Sequence, residues 1–178
     1  MAPQLFEQVK LAIQQHVSVL LNELRNSLVG QESGLLERLS ALWIEYCEQI
    51  KTIRTIFLYL DRSFVFQQLS IKSIWLLGLE IFANEIREKQ NDVLLSKCVG
   101  LSLDLIERER KAEAVNQSVL RNVIRMLSAV HLYAVAFEPA FLQASQSFYE
   151  REGQVMVERV SVPQFLAHIN KRLAEEVC

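Results

Sequence analysis

The side chains of this 178-residue chain best suited to metal binding or nucleophilic attack are His16, His131, His168, Cys47, Cys98 and Cys178. A zinc site draws its ligands from short Cys and His spacings. The three histidines are far apart, and none sits beside a Cys, Asp or Glu at such a spacing. His168 is flanked by Ala167 and Ile169, which offer no ligand atoms. The cysteines are odd in number and widely separated, so they suit neither a disulfide framework nor a zinc site and point to a reducing interior. Cys47 lies beside an apolar stripe, where a cysteine acts as a small hydrophobe; a reactive thiolate needs an electropositive pocket that nothing near it announces. The acid pair Glu175–Glu176 is typical of a solvated helix end. No Gly-rich phosphate loop and no nucleophile elbow occurs. The expectation is a chain without catalysis, cofactor or metal.

The remaining candidate chemistry is that of contact. In "DRSFVFQQLSIKSIWLLGLEIF", residues 61–82, Phe64, Val65 and Phe66 are consecutive. One helix face cannot bury three neighbours in a row, because successive side chains point about 100° apart. Trp75 shares a face with Leu79 and Phe82 and reads as core.

The elements that position these residues are helical. Apolar residues recur at Leu35, Leu39, Leu42, Tyr46, Ile50, Ile53, Phe57 and Leu60, about 3.6 residues per step, the α-helix repeat. Leu36, Trp43 and Cys47 widen that stripe, and Ser33 with Gly34 makes a plausible start. Before it, Leu5, Val9, Ile13, Val17, Leu20 or Leu21, Leu24 and Leu28 mark a helix ended by Gly30, with Pro3 in its first turn. A helix follows Ser73. Asn91 or Asp92 caps the next, carrying Leu94, Val99, Leu103 and Ile106. Asn116 caps another, with Val119, Val123 and Leu127. A short element over 131–137 leads to Pro139, then a helix with Phe141, Phe148 and Val155. Pro163 opens the last, with Phe165, Ile169 and Leu173. No strand alternation exceeds four residues, so the fold class is an all-α antiparallel array. "IERERKAEA", 106–114, reads either as a solvated helix end with Glu–Arg pairs or as a polar junction between helical units.

Just over half the residues are apolar and 22% are charged, as in a well-packed domain. A net charge of −2 asks for neither nucleic acid nor anionic lipid. The most apolar stretch, 74–83, is cut by Glu80 and is far short of a membrane span, and the N-terminus lacks the pattern of a secretory signal.

Several segments, taken in order, resemble the cullin N-terminal region, closest to its fourth class. They are "IKTIRTIFLYLDRSFVFQ" (50–67), "SIWLLGLEIF" (73–82), "LIERERKAEAVNQSVLRNVIRMLS" (105–128), "FEPAFLQASQSFYEREGQ" (137–154) and "VPQFLAHINKRLAEE" (162–176). The resemblance covers residues from about 5 to 176. It implies a stalk-like array of five-helix cullin repeats. Residues 1–110 would hold the later helices of a first repeat and its junction, and 111–178 the opening helices of a second. It implies a non-catalytic scaffold segment of a RING-type ubiquitin ligase, in the nucleus and cytoplasm. The segment would bind a substrate-receptor adaptor, the triple-β-propeller damaged-DNA-binding protein, without direct nucleic-acid or membrane contact.

The resemblance lacks the family helices that precede Leu5 and stops at Cys178, so truncation at both ends, weakened adaptor binding and self-association are expected. The alternative function is a free-standing helical interaction protein, a decoy or a self-associating chain without a ligase role. The resemblance places the adaptor contact at Phe64, Val65, Phe66 and Gln68; the family Tyr is here Phe64, and its Gln-Asn reads Gln67-Gln68. Extending the 35–60 stripe would turn Phe64 inward and Phe66 outward. A helix break near Asp61, where Asp61 and Ser63 are competent caps, reconciles the two. Otherwise all three apolar residues pack between helices.

Overall fold

The apolar stripes become helices in a computed structural model that describes residues 2–27, 34–60, 72–88 and 91–177. In order they are α1 (Ala2–Ser27), α2 (Leu35–Ile56), the single turn α3 (Leu58–Leu60), α4 (Ile74–Arg87), α5 (Asp92–Arg110), α6 (Gln117–Ala129), a π-helical turn (Tyr133–Phe137), α7 (Glu138–Arg159) and α8 (Val162–Val177). No strand occurs among the described residues. Phe64, Val65, Phe66 and Gln68 lie outside the described residues.

The chain divides by compactness into Met1–Glu138 and Pro139–Cys178. The repeat boundary expected at 110/111 is a division by recurrence, which packing does not test. The packing places α6 in the first unit because α6 lies on α2.

In the first unit α4 packs against α1, α2 and α5. It buries Ile74, Leu77, Gly78, Ile81, Phe82, Ala83, Glu85 and Ile86, a stripe wide enough for several partners. The crossing with α2 is close. A Cβ on Gly78 would lie 3.0–3.1 Å from three Ile50 side-chain carbons. One turn earlier on α2, the Tyr46 hydroxyl donates to the Gly78 carbonyl at 2.8 Å. Burial, with Cys47 nearby, holds the Tyr46 phenol far above its usual pKa. Trp43 meets Phe82 edge-on at 5.0 Å between ring centroids, and Tyr46 lies 5.2 Å from Phe82. These aromatic pairs add to the burial of their large apolar area. Asn122 on α6 donates to the buried Ser40 hydroxyl on α2 at 3.1 Å, tying that pair.

The helix ends differ from the sequence expectation at several points. In α1, Phe6 is buried and Leu5 is exposed; Leu21 is buried and Leu20 only partly. At about 100° per residue, Phe6 falls on the line through Ile13, Val17 and Leu24, whereas Leu5 is turned away from it. Leu28 and Gly30 lie outside the described residues. Gly34 starts α2 in the left-handed region (φ 81°), with no side-chain cap bond. Ser73 caps α4, accepting from Leu76 N–H, and Asn116 caps α6, accepting from Val119 N–H. Asn91 precedes α5 without capping it; its amide donates to the Glu85 carbonyl at 2.7 Å and closes the end of α4.

Two helices end in Schellman motifs without glycine. After α5, Ala112 (φ 62°) donates to Glu109 O and Glu113 donates to Arg108 O. After α6, His131 (φ 56°) donates to Ser128 O and Leu132 to Leu127 O. This is the 5→2 and 6→1 pattern that normally takes glycine at the left-handed position. Arg87 on α4 donates to the Val130 and His131 carbonyls at 3.3 Å each, serving the last free acceptors of α6. The π-turn precedes Pro139, which has no N–H to give and whose ring would crowd the carbonyl four residues back. The wider turn takes up that misfit, with Glu138 N–H bonding Tyr133 O.

Gly78→Val is expected to cost about 2–3 kcal/mol through overpacking. Adding Ile50→Ala should recover part of that loss, although Ile50→Ala by itself costs about 2–5 kcal/mol. Urea unfolding of the two single variants and the double variant reads this coupling, and strict additivity would refute a steric crossing. Ala112→Gly is expected to raise stability by about 0.5–1 kcal/mol, since glycine relieves the left-handed strain at some cost in unfolded-state entropy; a melting point that falls would contradict it.

Candidate interaction surface

Apart from Cys178, which lies outside the described residues, the residues singled out for chemistry are committed to structure. His16 Nε2 pairs with Gln49 Oε1 at 2.8 Å across α1 and α2. His131 occupies the left-handed position after α6. His168 on α8 has Nε2 3.5 Å from Glu152 Oε2 on α7. Cys47 is half-buried, and burial, opposed by Lys51 and aided by Glu48, pushes its thiol up to about 11. Cys98 is buried and pushed up to about 12 by burial, against a hydrogen bond with Ser102. Among the described residues, no group of three or more His, Cys, Asp or Glu could hold a metal ion.

The charged segment 106–114 is a solvated helix end. Arg108 pairs with Glu113 at 2.8 Å and Lys111 with Glu107 at 2.8 Å, all well exposed. Gln117 on α6 donates to Glu109. Glu175 pairs with Arg172 at 3.0 Å, and Glu176 accepts from the Tyr149 hydroxyl.

Arg172 is the polar centre of the α7–α8 pair. Its Nε lies 3.1 and 3.2 Å from the two Glu152 oxygens, and Nη2 lies 2.5 Å from Oε1. Burial raises the Glu152 carboxyl, but the Arg172 hydrogen bonds and charge, with His168, outweigh it and hold the group below its ordinary range. Beside this pair runs a groove of about 280 Å³ walled by Tyr149, Gly153, Phe165, Ile169 and Leu173.

In the first unit the exposed features are apolar. Helix α2 stops at Ile56, and Phe57 leaves helical geometry (φ −96°, ψ 27°) before the turn α3. Asp61 and Ser63, the caps expected at the break, lie outside the described residues. Phe57, with Leu5, Val9, Ile13, Ile50 and Ile53, lines an apolar groove of about 380 Å³ between α1 and α2. Around the break, Ile56 is 70% exposed and Tyr59 84%; beyond residues 61–71, Leu76 is 52% exposed. In sequence these three residues flank the segment that holds the nominated contacts. Sequence reasoning followed the inward stripe and passed over them. The available signal was that Ile56 and Tyr59 fall about 75° and about 135° off that stripe at about 100° per residue. Trp75 and Leu79 are half-buried and Phe82 is fully buried.

Packed helices with apolar edges, in units without a strand among the described residues, define an all-α protein. The chain belongs to the cullin family: it matches the Cullin alpha solenoid domain over residues 1–178. It is 37% identical over 175 residues to human Cullin-4A, covering 98% of this chain and 23% of that protein. It is 29% identical over 177 residues to Cullin-4 of Dictyostelium discoideum, covering 99% of this chain and 22% of the relative. Cullin-3A of Arabidopsis thaliana is 29% identical over 150 residues, covering 83% of this chain and 20% of the relative. The chain thus spans less than a quarter of the length of these curated relatives.

Two measurements check the surface chemistry. In a Cys178→Ser background, native Cys47 and Cys98 should stay protonated up to about pH 10 and react with a thiol reagent at pH 8 far more slowly than the unfolded chain; rapid native labelling would contradict this. The Glu152 carboxyl is held below its unfolded value of 4.5, so its stabilising contribution is present above that value and lost as pH falls through the folded pKa. Acid titration followed by circular dichroism should therefore show a loss below about pH 4.5 that Glu152→Gln diminishes.

Proposed function

We propose that this chain is a non-catalytic scaffold segment of a cullin-RING ubiquitin ligase, acting in the nucleus and cytoplasm. Its partner is the β-propeller damaged-DNA-binding adaptor that serves the fourth cullin class. The carrying observation is the family match along the whole chain, with 37% identity to human Cullin-4A. The contact residues in this reading are Phe64, Val65, Phe66 and Gln68, extended by the exposed apolar residues Ile56, Tyr59 and Leu76 on either side of them. Aromatic anchors of this kind concentrate binding energy when they enter a pocket on the partner.

Calorimetric titration of the chain with the propeller adaptor tests the reading. Phe64→Ala is expected to weaken binding by at least about tenfold, and Tyr59→Ala by less, as for a central anchor and its rim. Binding that is indifferent to both substitutions removes this surface. No binding at about 100 μM, a limit set by the weakest useful affinities, removes the adaptor.

A further inference from the structure

The exposed apolar residues named for adaptor contact do not share one element. Ile56 is the last residue of α2, Tyr59 lies in the turn α3, and Leu76 lies in the first turn of α4. A rigid partner meets all three only while α2 and α4 keep one axial register. Apolar contact has no direction, whereas a hydrogen bond has a set length and angle. The two helices share such a bond inside the unit: the hydroxyl of Tyr46, a residue 1% exposed, donates to the Gly78 carbonyl at 2.8 Å. Gly78 stands two residues from Leu76, and Tyr46 stands ten residues from Ile56, about 15 Å along the helix. Gly78 is also the only glycine of α4. Sliding α4 by one turn would bring Ile74 or Phe82 against Ile50, where even a Cβ has only 3.0–3.1 Å.

Given the adaptor surface put forward above, we propose that Tyr46 is a positioning residue for adaptor binding: its hydrogen bond to Gly78 fixes α4 along α2 and so holds Leu76 at one distance from Ile56 and Tyr59. The glycine excludes a full-turn slide, and the hydrogen bond restrains the smaller displacements that sterics allow. The bond is an addition to the helix ladder. An interior helix carbonyl already accepts the N–H four residues on, and the Tyr46 hydroxyl takes its second lone pair. Removing the hydroxyl therefore leaves the ladder of α4 intact. The ring keeps its place beside Trp43 and Phe82. What is lost is the directional restraint between the two helices, while the partner never touches Tyr46 itself.

Tyr46→Phe in the whole chain tests this by two measurements. Calorimetric titration with the propeller adaptor should show binding weakened about three- to tenfold, the worth of one net hydrogen bond. Electron–electron distance measurement between nitroxide labels at Thr55→Cys on α2 and Asn84→Cys on α4, both exposed, reads the register without the adaptor; the native cysteines are replaced by alanine. Tyr46→Phe should broaden that distribution and move its mean by about 1 Å or more, against a rise of about 1.5 Å per helical residue. Leu127→Ala, buried on α6, lowers stability from outside the crossing pair and should leave both readings as they are in the folded chain. Adaptor affinity unchanged in Tyr46→Phe, a label distance unchanged, or an equal loss of affinity in Leu127→Ala overturns the positioning role alone. A chain with Tyr46 intact that does not bind the adaptor overturns the adaptor surface, and the role of Tyr46 falls with it.

Discussion

The crossing of α2 and α4 at Gly78 is the constraint on which the first unit depends. Helices approach this closely only where one of them gives up its side chain, and here a Cβ would meet Ile50 at 3.0 Å. The approach brings the Tyr46 hydroxyl within reach of the Gly78 carbonyl and sets Trp43 edge-on to Phe82. A buried phenol without an acceptor would be costly. The close contact therefore satisfies a polar group and fills the aromatic core in one arrangement. With α2 seated on α4, α1 and α5 close on α4 and α6 closes on α2.

Periodicity alone was enough to read most of the helices. Leu35, Leu39, Tyr46 and Ile50 of the second stripe are buried and Leu42 partly so, and Ser73 and Asn116 are placed where a side-chain oxygen meets a free N–H. What was illegible depended on neighbours. Spacing admits either Leu5 or Phe6, and Leu20 or Leu21; the partner helix chooses. The stop at Ile56 has no glycine or proline to mark it. The Schellman turns at Ala112 and His131 lack the glycine that would have announced them. Asn91 was readable as a polar residue at a helix start, but its bond to Glu85 O joins two helices and has no local signature.

The chemistry followed the same division. The isolation of the histidines and cysteines was visible in their spacing, and each described one has a packing or pairing role. The Glu152–Arg172 pair could not be seen, because its members are twenty residues apart on two helices. The off-stripe residues Ile56 and Tyr59 were legible in principle, since large apolar side chains outside a well-formed stripe have no core to enter. The nominated contacts at Phe64, Val65, Phe66 and Gln68 rest on family resemblance, and lie outside the described residues.

The placement of the two tryptophans gives the molecule an internal optical label. Trp43 is on α2 against Phe82, and Trp75 is on α4; the segment from Pro139 onward has no indole at all. Tryptophan emission therefore arises from the first unit alone. Far-ultraviolet ellipticity counts the helices of both units equally. Any mismatch between the two signals during denaturation is a direct measure of how far the halves melt separately.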